Sequence, residues 1–452
     1  MMQTLDLRET HSTRAELARL APRALTDVTA ASAGAAELIA DVRARGERAL
    51  LDQAERFDGT RPKNIRVHAD EIGAAVSRLD PTVRAALEES IDRVTRATTA
   101  QLPEPVVTEL GRGAEIIQRW KPVTRVGLYV PGGKAVYPSS VVMNVVPAHV
   151  AGVGSVAIAS PAQKEFGGVH PTILGAAGLL GVEEIYAMGG AGAIGALAYG
   201  VAEIALDPVD LITGPGNVYV AAAKRLVRGT VGIDSEAGPT EILIIADETA
   251  DAGLVAADLV SQAEHDEQAA AVLVTTSTSL AAAVEVELGR LVTTTHHADR
   301  VATALSGQQS AIVLVADLVA AAAFSNAYAP EHLEIQTEEP GTVLDLIDNA
   351  GAIFLGAYSP VSLGDYLAGS NHVLPTGGQA AFSSGLGAYT FLRPQQVIRY
   401  DRAGLQNVEN AIVALSHAED LPAHGDAVEA RFSVYGASQD RKVGNGGDSP
   451  VG

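Results

Sequence analysis

Four polar clusters in the second half of the chain hold residue types that can do chemistry together. Ser261-Gln-Ala-Glu-His-Asp266 reads as helical, so Gln262 and His265 share one face at i,i+3 spacing. Gly364-Asp-Tyr-Leu-Ala-Gly-Ser-Asn-His372 reads as a loop presenting Asp365 and His372. Ala329-Pro-Glu-His-Leu333 sets the carboxylate of Glu331 beside the imidazole of His332, and Ala418-Glu-Asp-Leu-Pro-Ala-His424 brings Glu419 near His424. Imidazole, carboxylate and amide oxygen together make a donor set for Zn2+ or Mn2+, although the spacing matches no compact zinc signature. Helix capping or plain surface polarity is the competing reading of the same residues. His296-His297-Ala-Asp299 looks metal-like by letters, but no Gly-rich or apolar frame surrounds it, and it reads as a solvated helix end. His11, His68, His149, His170 and His417 read as ordinary polar positions.

Three Gly-rich turns stand where strands are expected to give way to helices, so helix N–H groups there can meet a phosphate. They are Tyr129-Val-Pro-Gly-Gly133, Gly189-Gly-Ala-Gly-Ala-Ile-Gly195 and Gly214-Pro-Gly-Asn217. The second holds Gly190-x-Gly192-x-x-Gly195, a literal dinucleotide fingerprint, with Asp210 twenty residues after Gly190. In an Ala/Gly-rich chain the same letters also serve close helix–sheet packing. No Walker Lys-Ser/Thr follows any of the three. Together they favour a nucleotide or dinucleotide ligand.

The elements that must position these groups are legible from periodicity. Residues 8–100 carry apolar positions at helical spacing, as in Ala35–Ala44 and in Thr82–Arg96, which follows Pro81. From Val123 short apolar runs (VGLYV, SVAIAS, EIYAMG, DLITG, EILIIAD, AAVLVTTS, SAIVLVAD, AGAIFLG) alternate with Gly/Pro turns and Ala-rich helical stretches. That alternation predicts βαβ units on a parallel sheet buried on both faces. After Phe391 helices return over Leu405–His417 and Asp426–Phe432, and the last sixteen residues lack apolar periodicity, as a disordered tail does.

Composition narrows the function classes. The 452 residues allow about three domains. A share of 47% hydrophobic against 19% charged residues is globular. The absence of cysteine removes disulfides, thiolate nucleophiles and Cys-ligated metal sites at once. A net charge of −22 opposes nucleic-acid binding, which needs clustered Lys and Arg. The N-terminal stretch lacks the apolar run of a signal peptide. The longest uncharged run, Ala135–Gln163, is broken by Pro138, Asn144, Pro147 and His149, which reads as buried core and not as a membrane span. A soluble, cytoplasmic protein is expected.

Over essentially Val28 to Phe432 the chain resembles the histidinol dehydrogenase family. The stretches VGLYVPGGKAVYPSSVVMNVVPA, ITGPGNVYVAAAKR, VGIDSEAGPTEI, SQAEHDE, YAPEHLEI, SLGDYLAGSNHVLPT and AEDLPAH are similar to that family's motifs, in the family's order. The resemblance implies NAD-dependent four-electron oxidation of L-histidinol to L-histidine through an enzyme-bound aldehyde, the last steps of histidine biosynthesis, on a homodimer with one Zn2+ per site. Carried over by motif, it implies Gln262, His265, Asp365 and His424 as metal ligands, with His424 and Glu419 supplied across the dimer interface. It implies Glu331 and His332 as the acid–base pair, Thr240, His372 and Glu419 as further substrate contacts beside His332 and the ligands, and Tyr129 and Asn217 as NAD contacts.

One departure falls on the cofactor. The family usually reads Gly-Gly-Ala-Gln-Ala-Ile, with the glutamine touching NAD, where this chain has Gly189-Gly-Ala-Gly192-Ala-Ile. Gly195 likewise replaces a usual alanine, so the literal fingerprint arises from two departures. Losing one hydrogen bond at Gly192 predicts NAD binding weaker by about fivefold, ~1 kcal/mol.

The implied fold is α/β, with two incomplete Rossmann-like domains in an aldehyde-dehydrogenase-like sandwich and small N- and C-terminal helical extensions. The expected boundaries are an N-terminal extension over 1–27, a discontinuous α/β domain over 28–128 with 238–385, and a second Rossmann-like domain over 129–237. A helical dimerisation segment over 386–436 and a disordered tail over 437–452 complete the chain. Without cysteine the intermediate aldehyde cannot be held as a thiohemiacetal. It must be hydrated or captured by another nucleophile such as lysine. His332 is expected to take the alcohol proton and Glu331 to activate water. The alternative is a zinc-dependent dehydrogenase of the same fold acting on another amino alcohol or polyol.

Overall fold

The computed structural model describes residues 2–10, 12–24, 28–132, 136–236 and 238–443. His11, Gly133 and residues 444–452 of the expected tail lie outside them. In chain order the strands are β1 (Gln3–Asp6), β2 (Val106–Gly111), β3 (Ala114–Pro122), β4 (Arg125–Tyr129), β5 (Ser155–Ser160), β6 (Glu184–Ala187), β7 (Leu211–Thr213), β8 (Gly232–Ile233), β9 (Glu241–Ala246), β10 (Ala270–Thr275), β11 (Ala311–Leu314), β12 (His332–Gln336), β13 (Ala352–Leu355) and β14 (Leu392–Tyr400). The helices are α1 (Arg14–Leu20), α2 (Val28–Arg45), α3 (Glu47–Gln53), α4 (Ala69–Arg78), α5 (Pro81–Thr99), α6 (Pro138–Val150), α7 (Pro171–Leu179), α8 (Gly190–Tyr199) and α9 (Val218–Val227). They continue as α10 (Ala252–Ala263), α11 (Thr278–Val292), α12 (Ala298–Ser306), α13 (Leu318–Tyr328), α14 (Pro340–Leu344), α15 (Val361–Tyr366), α16 (Arg402–Ala418) and α17 (Pro422–Val443).

The chain forms two compact units, Met1–Leu102 with Pro122–Leu392, and Pro103–Lys121 with Arg393–Gly452. The first holds two parallel sheets. One has the order β6–β5–β4–β7–β8, the other β1–β11–β10–β9–β12–β13. Inner strands such as Glu241–Ala246 and Ala270–Thr275 are mostly aliphatic and buried along their whole length, because helices cover both faces, while the equally buried β12 alternates polar and aliphatic residues. The expected βαβ alternation is therefore present.

The domain grouping differs from the expectation in several places, among them residues 103–121, expected within 28–128 but part of the second unit. Helices α2 to α5 were expected to accompany residues 238–385, but they pack on the five-stranded sheet's side. Ala31, Ala35, Ile39 and Val42 of α2 bury against the small-residue surfaces of α8 and α9, such as Ala198 and Ala222. Ile72, Leu87 and Val94 of α4 and α5 join the core of α6 and α7. Helices α2 and α4 pack on the Ala- and Gly-containing surfaces of α7, α8 and α9, and α5 packs on the valine-rich α6. The N-terminal stretch is also more than an appendage: β1 pairs with β11 as the edge of the six-stranded sheet. Helix α5 starts as expected, with Pro81 in its first turn and Asp80 accepting from the Thr82 and Val83 amides.

The second unit joins β3 and the neighbouring β2 and β14 to the antiparallel helix pair α16 and α17. Helix α17 runs on to Val443, so the described part of the expected tail is helical. Among the described residues, no helix is long and apolar enough to cross a membrane.

Candidate active site

The groups with chemical capacity lie on opposite ends of the two sheets. Tyr129 closes β4, Gly189 and Gly190 follow β6, and Gly214 follows β7, so the glycine loops sit at the carboxyl ends of the five-stranded sheet. Thr240 precedes β9 and Glu331 precedes β12, while His332 opens β12, so these three sit at the amino ends of the six-stranded sheet. The two edges meet where Ser140, in the first turn of α6, stands 3.0 Å (Oγ to Nε2) from His372.

The Glu331–His332 pair is held by one residue of β9. The Glu241 amide donates to Glu331 Oε2 at 2.9 Å, and the Glu241 carbonyl meets His332 Nδ1 at 3.1 Å. A proton on Nδ1 satisfies that carbonyl and leaves Nε2 as the free basic nitrogen. His332 Nδ1 and Glu331 Oε2 are 3.5 Å apart. Both side chains are buried, which lowers the His332 pKa and pushes Glu331 up to about 8. The Glu241 carboxyl is itself buried and pushed up to about 7; it accepts from Tyr328 Oη at 3.0 Å and from the Gly377 amide at 2.8 Å.

A second chain of hydrogen bonds leads away from Glu331. Thr240 Oγ donates to Glu331 Oε2 at 2.6 Å and accepts from Gln262 Nε2 at 2.7 Å. The Gln262 amide is thereby oriented, and its Oε1 is buried without any hydrogen-bond partner. His265 lies just past the end of α10 and not within the expected helix, though its amide still bonds to the Gln262 carbonyl at 3.3 Å, which continues the turn. Asp365 lies on the short helix α15 and not in a loop, because Pro360 caps a turn there. Its charge raises the pKa of His265, His332 and His372 against the stronger, opposite effect of burial. These four groups therefore share one neighbourhood. His372 Nδ1 donates to the Asp365 carbonyl at 3.0 Å.

Whether the residues fit a cation can be judged from Gln262. A buried carboxamide oxygen with no donor is costly unless something positive meets it. Gln262, His265 and Asp365 offer amide oxygen, imidazole and carboxylate, a borderline set suited to zinc. Among the described residues, no three His, Cys, Asp or Glu side chains gather closely enough to hold a metal by themselves. The remaining residues named from the sequence, Glu419 and His424, belong to the second unit and are exposed, at the end of α16 and in the first turn of α17.

At the glycine loops, Gly214 has φ +111°, and a Cβ there would overlap the Tyr129 carbonyl oxygen, so only glycine fits. Its peptide groups are gripped by a buried ion pair: the Gly214 amide donates to Asp234 Oδ2 at 2.8 Å, and Lys224 Nζ donates to the Gly214 carbonyl at 3.0 Å. Asn217 caps α9, its Oδ1 accepting from the Tyr219 and Val220 amides, and remains exposed. The Tyr129 hydroxyl is buried and accepts from the Gly190 amide at 3.1 Å, and burial pushes its pKa up to about 12. Gly192 is buried, and the side where a side chain would stand is filled by the Gln53 carboxamide and Val42.

Reasoning from the sequence missed Ser140, Glu241, Asp234 and Lys224. Glu241 stands within VGIDSEAGPTEI and Lys224 within ITGPGNVYVAAAKR. A charged residue at a position patterned for burial is the signal that marks both.

The histidinol dehydrogenase family model matches residues 21–432. A histidinol dehydrogenase from Leifsonia xyli subsp. xyli is 68% identical over 95% of this chain and 99% of its own length. Another, from Thermobifida fusca, is 59% identical over 91% of this chain and 94% of its own. The crystal structure of histidinol dehydrogenase from Elizabethkingia anophelis superposes with a TM-score of 0.89 at 33% identity, covering 96% of this chain and 99% of that one.

Proposed function

Because the chain belongs to the histidinol dehydrogenase family, we propose that it catalyses the NAD-dependent four-electron oxidation of L-histidinol, via L-histidinaldehyde, to L-histidine. The observation that carries the residue assignment is the pairing of Glu331 and His332 on the two peptide groups of Glu241. It places two proton-handling groups of different character side by side in a site without a thiol.

His332, kept neutral by burial and with Nδ1 committed to a carbonyl, takes the alcohol proton at Nε2. Glu331, at about 8, stands close to working pH, where a carboxyl can accept a proton from water and return it. Water added to the aldehyde carbon under Glu331 gives the hydrate, and His332, once its first proton has passed to solvent, receives the hydroxyl proton of the hydrate in the second oxidation. Gln262, His265 and Asp365, with His424 of a partner subunit, would hold Zn2+, and His372 and Glu419 would contact substrate beside them. When bound, zinc supplies a template for the substrate's imidazole and amine, and NAD accepts the hydride of each oxidation.

The five-stranded sheet has the strand order 3-2-1-4-5 when numbered from β4, and the six-stranded sheet repeats that order when numbered from β9, with β1 added at the edge beyond β11. That order supports reading them as two incomplete Rossmann-like halves. The switch point of the five-stranded sheet lies between β4 and β7, where Tyr129 and the Gly214–Asn217 loop would receive NAD. A homodimer in the cytoplasm completes the reading.

The test is NADH formation from L-histidinol by the purified protein, before and after chelation and zinc restoration. Two NADH per histidinol, lost on chelation and regained with zinc, is the expected result. No NADH from folded, zinc-loaded protein refutes the substrate assignment, and oxidation of another amino alcohol would replace it.

A further inference from the structure

Helix α6 carries an asparagine where its neighbours are almost all apolar. Asn144 is fully buried within Val141–Ala148, and a buried carboxamide is tolerated only if its polar ends are used. Its Oδ1 accepts from Thr213 Oγ at 2.8 Å, and its Nδ2 donates to the Ser140 carbonyl at 2.8 Å. Thr213 is the last residue of β7, directly before Gly214. One turn back along α6, Ser140 Oγ meets His372 Nε2. Pro147, inside the same helix, has no N–H to give to the Met143 carbonyl four residues earlier. Asn371 uses that vacant acceptor instead, its Nδ2 donating at 2.6 Å. Two ties therefore hold the 371–372 segment to α6, and one holds α6 to the root of the Gly214 loop.

We propose that α6 is a strut coupling the cofactor loop to the substrate-facing imidazole, through Thr213–Asn144–Ser140–His372 and a second tie from the Met143 carbonyl to Asn371. Thr213, Asn144 and Ser140 are positioning residues: none needs to touch substrate, and each sets where His372 stands. The inference rests on the reading that His372 meets substrate and that Gly214–Asn217 meets NAD. A packing-only account explains why Asn144 is satisfied. It does not explain why a helix-internal proline should free a carbonyl for the residue next to His372.

The experiment is steady-state kinetics on full-length, zinc-loaded protein. Thr213→Val removes the hydroxyl while keeping the shape, and Thr213→Ser keeps the hydroxyl. Thr213→Val and Ser140→Ala are each expected to raise the histidinol KM about fivefold, with kcat within about threefold of the parent and zinc content unchanged. Thr213→Ser should keep the parent KM. The double variant should raise KM by less than the product of the single effects, because both cut one path. Pro147→Ala, which restores a competing N–H for the Met143 carbonyl, is the second probe should Thr213→Val not fold, and it too should raise KM. The inference is overturned if histidinol KM in Thr213→Val, or in Pro147→Ala, stays within about twofold of the parent, or if the double effects multiply. His372→Ala separates the two levels: if it leaves histidinol KM unchanged, the reading of His372 fails; if it raises KM while Thr213→Val does not, only the strut fails.

Discussion

Thr240 is the most informative single position in the site, because its hydroxyl works in two directions. It donates to Glu331 Oε2 at 2.6 Å and accepts from Gln262 Nε2 at 2.7 Å. Thr240→Val keeps the branched shape and removes both bonds. The bond to Gln262 joins neutral groups and contributes about 1 kcal/mol, while the bond to Glu331 contributes about 1.5–3 kcal/mol when the carboxyl is ionised. Removal leaves the buried Gln262 Nε2 without its acceptor, so the carboxamide is free to turn its Oε1 away from the place it now occupies unpartnered. Loss of a group that orients a metal ligand lowers affinity by about 10–100-fold. Zinc remaining after dialysis against graded chelator, measured by elemental analysis, should therefore show a midpoint shifted by that factor. The kcat/KM for histidinol at saturating zinc should also fall, because Glu331 has lost a donor. Thr240→Ser, which keeps the hydroxyl, should stay near the parent. Parent-like zinc retention together with kcat/KM within about twofold in Thr240→Val would show that the hydroxyl orients neither group.

Three further outcomes are expected. His332→Asn should lose about 10²–10⁴-fold in kcat while zinc content and histidinol binding persist, since a general base is removed and no ligand is; a near-normal rate refutes the assignment. Glu331 and Glu334 are held at about 8 and about 9 by burial, against an ordinary 4.5, so the folded protein keeps protons that the unfolded chain releases. With metal removed, unfolding free energy from urea titration should then fall as pH rises from about 5 to about 8, and Glu331→Gln should flatten that slope; an identical slope in the variant excludes Glu331 as a contributor. Gly192→Ala gains about 1 kcal/mol of helix propensity but displaces the Gln53 carboxamide, which donates to the Leu38 carbonyl at 3.2 Å. A net loss of about 1 kcal/mol is expected in the same assay, and adding Gln53→Ala should cost less on that background than alone; full additivity would mean that the two residues do not compete for one space.

What the residues made legible follows from how local each signal is. Eight strands of the two parallel sheets could be read because aliphatic runs such as Ile242–Ile245 are buried on both faces and bounded by turns, whereas β1, β8 and the polar-rich β12 (His332–Gln336) give no such run. The polar clusters stood out because charged and imidazole groups interrupt that pattern. The company kept by α2 to α5 was hidden, since their apolar stripes fit many apolar surfaces and the choice is made by tertiary shape. The capping reading offered for the polar clusters requires a side chain whose oxygen serves helix amides, as Oδ1 of Asn217 does at the start of α9. It does not hold for Gln262, where one end of the carboxamide is anchored and the other left bare. Hydrogen-bond direction of that kind exists only in three dimensions.

The fate of the glycine fingerprint shows why a motif needs its physical reason. In Gly190-x-Gly192-x-x-Gly195 the pattern calls for glycines that let a diphosphate approach a free helix N-terminus. Here Gly192 makes room for Gln53, and Gly195 lies close against the backbone of Ile39 in α2. The Gly190 amide is already engaged by the Tyr129 hydroxyl, and the carboxylate of Asp58 stands near Gly189, where it would repel an incoming phosphate. The letters therefore serve the packing of α8 against α2 and α3. The loop without a fingerprint, Gly214-Pro-Gly-Asn217, has the features a cofactor loop requires. It leaves a strand at the switch point of its sheet, its glycine is fixed at a conformation and a distance from Tyr129 that no other residue tolerates, and a buried ion pair holds that glycine from both sides. A rigid loop of that kind loses little conformational freedom when a ligand arrives, which favours binding there without any contribution from a side chain at position 192.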